Sequence, residues 1–341
     1  NFEALATLLV LLRRAQGGAP RAQARAQALL EAAGRASARA GAHPGFQFCL
    51  GLTKRFANEP RDAIAAFNRA RAAARWTARA VEAMVEIYVS PGGDDLWAEA
   101  TRGVDDSTSS TAARSSSQPV AGATREGLAT ARDLLATVAP KQRTARWPAL
   151  QAYTLIAQGS PDSLTAAQEL LSPALAANPS DPSTLLAHAC ACLFQGQTAK
   201  GRNALKRISK LPFDADRTDD FRRAWITLAG LYVNGAKFDL AQDLCNRALA
   251  ADRSAARAHE FLGGIMEREA AWADAAEHYE HAWELGHHAD APVGFKLAFN
   301  YLKAKRPLRA VDIARDVLKR FPDYPRIKEE ILDRARAMIR P

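Results

Sequence analysis

Apolar residues recur through most of the chain at intervals of three and four positions, a spacing that predicts amphipathic helices. An alternating apolar and polar pattern, which would predict strands, does not extend over any useful length. The pattern of residues 225–248 returns 34 residues later, at 259–282. One helical hairpin cannot bury its own apolar face, so such repeats must stack. The sequence therefore predicts an all-α fold, a right-handed superhelical α-solenoid of helical hairpins.

The repeated unit resembles the tetratricopeptide repeat (TPR). Trp225, Leu228, Ala229 and Tyr232 match its W-x2-L-G-x2-Y spacing, and Ala241 supplies the small residue of the second helix. The register predicts a single TPR solenoid over residues 1–341 that ends in a C-terminal capping helix at 326–339. The approximate repeats are expected at 1–43, 44–77, 78–147, 148–181, 182–221, 222–255, 256–290 and 291–325.

The third repeat is interrupted between its two helices. Residues 90–123 are rich in Ser, Thr, Gly and Asp, and they form a connection far longer than a normal helical-hairpin turn. Such a composition favours a mobile loop, so we expect a flexible insert at 90–123. Trp97 is the one large side chain within it, and it is the candidate for anchoring the insert to the solenoid.

The excess positive charge lies at one end of the chain. Residues 1–80 hold 13 Lys and Arg against 4 Asp and Glu, whereas the remainder holds 33 of each. These cations either lie on solvated helix faces or meet an acidic partner. The candidate contact residues, termed the arginine patch, are Arg21, Arg25, Arg35 and Arg39. Arg21 and Arg25 are one helical turn apart, as are Arg35 and Arg39, and this spacing would align the charges on one helix face.

The residues that could carry chemistry do not form a recognisable catalytic or metal-binding motif. The four cysteines fall at helical core positions, as expected of buried hydrophobes in a reducing compartment. His278 and His281 lie beside each other without the H-E-x-x-H pattern, and phosphate-binding glycine loops are missing. Apolar runs are too short to span a bilayer. We therefore expect a non-enzyme that has no cofactor, binds no metal and does not insert into a membrane.

The first helix of each TPR hairpin lines the concave groove of the solenoid. In the last repeat the predicted groove positions are mostly apolar: Phe295, Phe299, Leu302 and Lys303. They lack the Lys and Asn lattice with which chaperone-binding repeats hold a terminal carboxylate. Two interpretations remain open for this stripe. Either the superhelix or its cap covers it, or it holds an apolar helix or loop of a neighbouring protein.

Several segments resemble one family closely, the tetratricopeptide repeat protein 21 family, at its carboxy-terminal end. The strings are PGFQF at 44–48, NALKRISK at 203–210, GGIMEREAAWADAAEHYEHAW at 263–283, VGFKLAFNYLKAKR at 293–306 and ILDRARAMIRP at 331–341. The resemblance implies the terminal part of the large solenoid subunit of intraflagellar transport complex A. It implies a scaffold for retrograde ciliary transport and cargo import. It also implies localisation to the cilium or flagellum and the basal body, on the cytoplasmic side.

The same resemblance implies partners: other subunits of that complex, which are WD-repeat and TPR solenoid chains, and ciliary cargo or cargo adaptors. Two alternatives remain. The first is a peptide-groove adaptor that recruits short cargo motifs on the same fold. The second is a nucleic-acid-binding helical repeat, which the basic end suggests. An RNA track would need basic excess along the whole array, and the middle and end lack it. We therefore expect no nucleic-acid partner.

Overall fold

The computed structural model describes residues 1–17, 20–36, 39–102, 119–120 and 122–339. Within these ranges all regular structure is helical and no strand occurs, which confirms the expected all-α solenoid. The first four hairpins are α1 (Phe2–Gln16) with α2 (Pro20–Arg35), α3 (Pro44–Phe56) with α4 (Pro60–Ala70), α5 (Ala74–Val89) with α7 (Arg125–Thr137), and α8 (Trp147–Gln158) with α9 (Pro161–Ala177). A short helix, α6 (Asp95–Thr101), lies between the two helices of the third hairpin in the chain. The last four hairpins are α10 (Pro182–Phe194) with α11 (Thr198–Lys210), α12 (Thr218–Asn234) with α13 (Phe238–Ala251), α14 (Ala256–Arg268) with α15 (Trp272–Leu285), and α16 (Ala291–Lys303) with α17 (Pro307–Arg320).

The two helices of a hairpin approach closely where one of them carries a small side chain. A Cβ atom placed on Gly263 would lie 3.1 Å from the ring of Tyr279, and one on Gly51 would lie 2.5 Å from Phe67. Ala275 is fully buried at the matching position of the second helix. These contacts leave no room for larger residues, which is why the small and aromatic positions of the repeat recur together.

The turns inside the last four hairpins share one backbone geometry. A single residue with positive φ ends the first helix, and the next N–H donates to a carbonyl five residues back. Glycine fills this position only at Gly196, whereas Ala236, Ala270 and Lys305 adopt φ of 54°, 58° and 58° elsewhere. The sequence therefore marks only one of these turns with the residue type that suits a left-handed conformation.

The structure describes part of the segment 90–123, which the sequence predicts to be a flexible insert. Residues 95–101 form helix α6, in which Leu96 is fully buried and Trp97 is 4 % exposed. Val120, near the end of the insert, is also buried. Residues 103–118 and 121 lie outside the described residues. Flexibility stays a prediction for them, whereas the buried side chains of Leu96 and Trp97 dock the short helix α6 onto the solenoid.

The carboxy-terminal end of the solenoid is covered by a last helical segment. A π-helical stretch, Lys328–Asp333, continues into α18 (Arg334–Ile339). Ile327, Ile331 and Ala335 are fully buried against the last hairpin. This arrangement matches the predicted capping helix, because it shields the apolar end that the final hairpin would otherwise expose.

Candidate protein-binding surfaces

The inner side of the solenoid is lined by the first helix of each hairpin, and charged residues fill much of it. Glu86 of α5 accepts hydrogen bonds from three arginines of other hairpins. The distances are 2.8 Å to Arg55, 2.9 Å to Arg146 and 3.2 Å to Arg223. Asp220 adds an ion pair to Arg146 at 3.3 Å. The inner charge network is defined as Arg55, Glu86, Asp94, Arg146, Asp220, Arg222 and Arg223.

Helix α6 packs on this inner side, along α12, and hydrogen bonds to α12 hold both of its ends. Before its first residue, Asp94 accepts two hydrogen bonds from the Arg222 guanidinium, at 2.5 and 3.1 Å. At its last residue, the Thr101 carbonyl accepts a hydrogen bond from Asn234, at 3.0 Å. The guanidinium of Arg223 lies 3.9 Å above the Trp97 ring. Helix α6 therefore occupies the groove of the middle hairpins, where a TPR array would otherwise take a ligand.

The ionisation of the network follows from its geometry. Burial raises the pKa of Glu86, but Arg223, Arg55 and Arg146 outweigh it and hold that pKa well below its ordinary value. Burial likewise opposes ionisation of Asp94, whereas Arg222 lowers its pKa by charge and by hydrogen bonding. Both carboxylates are therefore charged at neutral pH. Each buried charge has an opposite partner, as the low dielectric of an interior requires.

The amino-terminal hairpin contacts the sixth hairpin directly. The backbone N–H of Arg253 donates to the carbonyl of Arg14 at 2.9 Å, and the Arg14 guanidinium pairs with Asp219 at 3.2 Å. Arg222 joins this region through Asp252 at 3.2 Å. The positive charge of the first hairpins is thus partly neutralised by acidic residues of later hairpins in the same chain.

The structure describes three of the four side chains of the arginine patch. The side chains of Arg25, Arg35 and Arg39 are exposed, and the side chain of Arg21 lies outside the described part of the chain. Helix α2 ends at Arg35, so Arg39 does not continue the helical face as the spacing predicted. The chain leaves the helix after Arg35 and enters a short 3₁₀ turn at Ala40–Ala42. The proposed role of the patch stays a prediction.

The predicted apolar stripe on α16 is open to solvent in part. Phe295 and Phe299 are half-buried and Lys303 is exposed. The ammonium of Lys303 lies 5.3 Å from the Phe299 ring and 5.8 Å from the ring of Trp272. These four residues, Trp272, Phe295, Phe299 and Lys303, are called the α16 strip. Phe295 also contacts Tyr324, at 5.9 Å between rings, so the end of the solenoid covers it on one side.

The prediction that Leu302 faces the groove is wrong. Its side chain is 7 % exposed and belongs to the core between the last hairpin and the cap. On the inner helix α10, the side chains of Ser183, Leu186 and Cys190 are also fully buried. These α10 side chains are covered because α6 and α12 pack against that helix. As far as the described residues show, the groove is therefore filled on the middle hairpins and accessible on the last two.

The acidic residues beside the α16 strip already have partners. Glu260 pairs with Arg257 at 2.8 Å and with Lys296 at 3.9 Å. Glu267 accepts hydrogen bonds from Tyr279 and Asn300, at 3.0 and 3.1 Å. Lys303 has no carboxylate within ion-pair distance among the described residues, so the strip presents aromatic rings with a positively charged edge.

The histidines of α14 and α15 form a small cluster of a different kind. The Nδ1 atoms of His259 and His278 lie 3.1 Å apart, and His281 packs on the His259 ring at 4.9 Å between centroids. Burial, reinforced by His281 and His278, lowers the pKa of His259 to about 4. Across the described ranges, no three His, Cys, Asp or Glu side chains are placed to hold a metal ion. The His259 imidazole is therefore neutral near neutral pH, packed between the other two rings.

The cysteine thiols lie in the core, as the sequence predicted. All four are free and buried, and burial raises the pKa of Cys49 and of Cys245 to about 12. A thiol with such a pKa stays protonated near neutral pH and is a poor nucleophile. In the portion of the chain that is described, no helix combines the length and apolar character needed to cross a bilayer.

Sequence reasoning missed the inner charge network entirely. One signal was available: Asp219, Asp220, Arg222 and Arg223 crowd the first turns of α12, and the repeat register places part of them on the inner side. Glu86 and Asp94, the partners of the two arginines, lie more than a hundred residues away in the chain. No local pattern links such residues, since only the stacking of hairpins brings them together.

Comparison with known proteins gives a consistent result. Residues 130–336 match the model of the "Tetratricopeptide repeat protein 21 C-terminal ARM domain", and residues 1–89 match the "TT21 fifth ARM repeats domain". The segment 90–129, which contains α6, lies between the two matches. Human Tetratricopeptide repeat protein 21B is 36 % identical over 300 residues, which cover 87 % of this chain and 22 % of the relative. The Xenopus laevis 21B protein is 32 % identical over 343 residues, covering 100 % and 25 %. The chain thus spans about a quarter of these relatives.

Proposed function

The chain belongs to the tetratricopeptide repeat protein 21 family, and we propose that it is a non-catalytic scaffold of intraflagellar transport complex A. In this role it holds other subunits of the complex, WD-repeat and TPR solenoid chains, and supports retrograde ciliary transport and ciliary cargo import. The corresponding location is the cilium or flagellum and the basal body, on the cytoplasmic side. The family resemblance supports the complex, and the fold supports a protein–protein contact surface.

The observation that carries the scaffold role is the self-occupied groove of the middle hairpins. Ion pairs of the inner charge network connect the second, third, fourth and sixth hairpins. Helix α6 packs on the inner side beside them, where Asp94 pairs with Arg222. A groove filled in this way holds the array in one shape. A scaffold needs such a fixed shape, because subunits that contact distant hairpins must keep their relative positions.

The alternative of a peptide-groove adaptor is limited by the same observation. The middle groove is occupied by α6, whereas the α16 strip on the last two hairpins is accessible among the described residues and could take a short cargo motif. The nucleic-acid alternative loses its main support. Arg14, Arg55 and Arg75 of the basic end pair with carboxylates of the same chain, which reduces the charge available to phosphates.

Reconstitution of the complex tests the proposal. The full-length subunit, with a photo-crosslinking amino acid at Arg25 or at Phe299, is co-expressed with the other subunits, and cross-linked peptides are identified by mass spectrometry. A crosslinker at the exposed Thr165 serves as the control position. We expect the subunit to co-purify with the complex and to cross-link to another subunit from at least one test position. Failure to co-purify would overturn the scaffold role.

A further inference from the structure

Helix α6 shows how the inner side of this solenoid binds a helix. It runs along α12 in the same direction, with Asp94 at Arg222 and Arg223 and with Thr101 at the other end. A Cβ atom on Gly230 would lie 3.2 Å both from Thr101 of α6 and from Phe261 of α14, so this glycine permits the close approach of both helices. The pattern on α12 is therefore an arginine at the start, a glycine in the middle and a hydrogen-bond donor at the end.

The next inner helix repeats that pattern at the spacing of one repeat. Arg257 of α14 stands where Arg223 stands on α12, Gly264 stands where Gly230 stands, and Arg268 stands where Asn234 stands. On α16 the last position is Lys303. Gly264 is half-exposed, and a Cβ atom added to it would meet only the Tyr279 hydroxyl, at 3.5 Å. The surface that binds α6 thus continues onto α14 and α16, where no helix of the described chain covers it.

The chemistry of this continuation defines what it would bind. The half-buried rings of Phe295 and Phe299 on α16, with Trp272 at the start of α15 beside Phe299, offer an apolar ridge. Lys303 and Arg268 lie at the carboxyl ends of their helices, where cations stabilise the terminal carbonyls of a helix docked in the α6 direction. The neighbouring carboxylates of Glu260 and Glu267 are already paired. The surface therefore favours a ligand that is apolar on one face and negatively charged at its flanks.

We propose that α14 and the α16 strip bind an acidic amphipathic helix of a partner protein, in the orientation in which α12 binds α6. The existence of the partner rests on the proposed scaffold function, whereas the binding mode rests on the repeated pattern. The partner helix places an acidic residue near Arg257, a small residue over Gly264 and its last carbonyls near Arg268 and Lys303. Its apolar residues cover Phe295 and Phe299.

A synthetic helix tests the binding mode without knowledge of the partner. The probe is a peptide with the sequence of residues 91–102, held helical by a side-chain staple and labelled with fluorescein. Its binding to the full chain is followed by fluorescence anisotropy. We expect saturable binding that falls by at least about tenfold in Lys303→Glu and in Phe299→Asp. The control is Leu308→Asp, at a residue of α17 that is 68 % exposed, and it should bind as the parent does.

Two comparisons make the test decisive. A peptide in which Lys replaces each Asp and Glu should lose binding, because its charge opposes Lys303 and Arg268. Equal binding of the acidic and basic peptides, or equal affinity for Lys303→Glu and the control, would overturn the proposal. Since Lys303 is exposed, its substitution does not threaten folding. Co-assembly of the same variants with the other subunits is measured separately. Peptide binding without co-assembly would refute the scaffold role alone, and co-assembly without peptide binding would refute this inference alone.

Discussion

Glu86 is the centre of the inner charge network, and its removal is the most direct test of what holds the solenoid together. Its side chain is 10 % exposed and accepts hydrogen bonds from Arg55, Arg146 and Arg223. The substitution Glu86→Ala leaves three guanidinium groups of different hairpins without their common partner. Because these groups are mutually repulsive, we expect the contact between the third hairpin and the second, fourth and sixth hairpins to weaken.

The magnitude follows from the burial of each arginine and from its remaining partners. Removal of one member of a buried ion pair costs about 3–5 kcal/mol. Arg223 is 4 % exposed but keeps Asp94 at 3.4 Å, and Arg146 keeps Asp220 at 3.3 Å. Arg55 is 21 % exposed and can be solvated in part. These alternatives place the expected loss near the lower bound, about 3 kcal/mol, a large share of the 5–15 kcal/mol typical of a folded protein.

Urea unfolding followed by circular dichroism gives the assay, with Asp333→Ala as the matched control. Asp333 pairs with Arg336 one helical turn away on the exposed face of the cap, where such a pair is worth about 0.2–1 kcal/mol. We expect a clear shift of the unfolding midpoint for Glu86→Ala and little shift for the control. A loss below about 1 kcal/mol for Glu86→Ala would refute the reasoning, since it would mean that water satisfies the three arginines.

The pH dependence provides a second reading of the same substitution. The pKa of Glu86 is lowered in the folded chain from its ordinary value of 4.5. A group with a depressed folded pKa stabilises the fold above its unfolded pKa, and this contribution disappears as the pH falls through the folded value. The difference in unfolding free energy between parent and Glu86→Ala should therefore be constant near neutral pH and shrink in acid. A difference that grows on acidification would contradict the assignment.

Further predictions address the packing, the histidine cluster and the basic end. Ala275→Trp should lower the free energy of unfolding by about 1–3 kcal/mol, because overpacking strains the helix crossing. The control, Ala273→Trp at an exposed position, should not. Equal unfolding midpoints for the two variants would show that the repeat register is wrong. The pKa of His259 lies at about 4, so acidification from neutral pH through its ordinary value of 6.5 should destabilise the parent more than His259→Gln; parallel pH profiles would contradict this. Reversal of the arginine patch to Glu should slow assembly at low salt while the fold survives, and unchanged association rates would show that the patch is only solvated.

The fold could be predicted from the sequence because each repeat carries its own packing signal. The spacing of Leu262, Gly263 and Tyr279 describes a contact that forms within one hairpin, and neighbouring hairpins reuse it. Features that depend on distant parts of the chain could not be predicted in this way. The pairing of Arg222 with Asp94 joins residues 128 positions apart, and only the curvature of the stacked hairpins brings them within reach.

The outcome of the groove prediction depends on what packs over each inner helix. The TPR register predicts which positions face inward, but it cannot say whether another segment of the chain fills the groove at those positions. Cys190 is covered because α6 and α12 lie against α10, whereas Phe299 remains half-exposed because the described chain places no helix over α14 and α16. Among the described residues, the accessible part of the groove is thus the part that α6 does not cover.

The contacts between distant hairpins change how this solenoid should respond to stress. In an ideal repeat array each unit contacts only its neighbours, and stability is a sum of local terms. Here the pairing of Arg14 with Asp219 links the first hairpin to the sixth, and the pairing of Glu86 with Arg223 links the third to the sixth. Opening of the first or third hairpin must therefore break contacts in the sixth as well. The hairpins joined in this way should unfold together rather than one after another, which suits a scaffold that has to keep its shape.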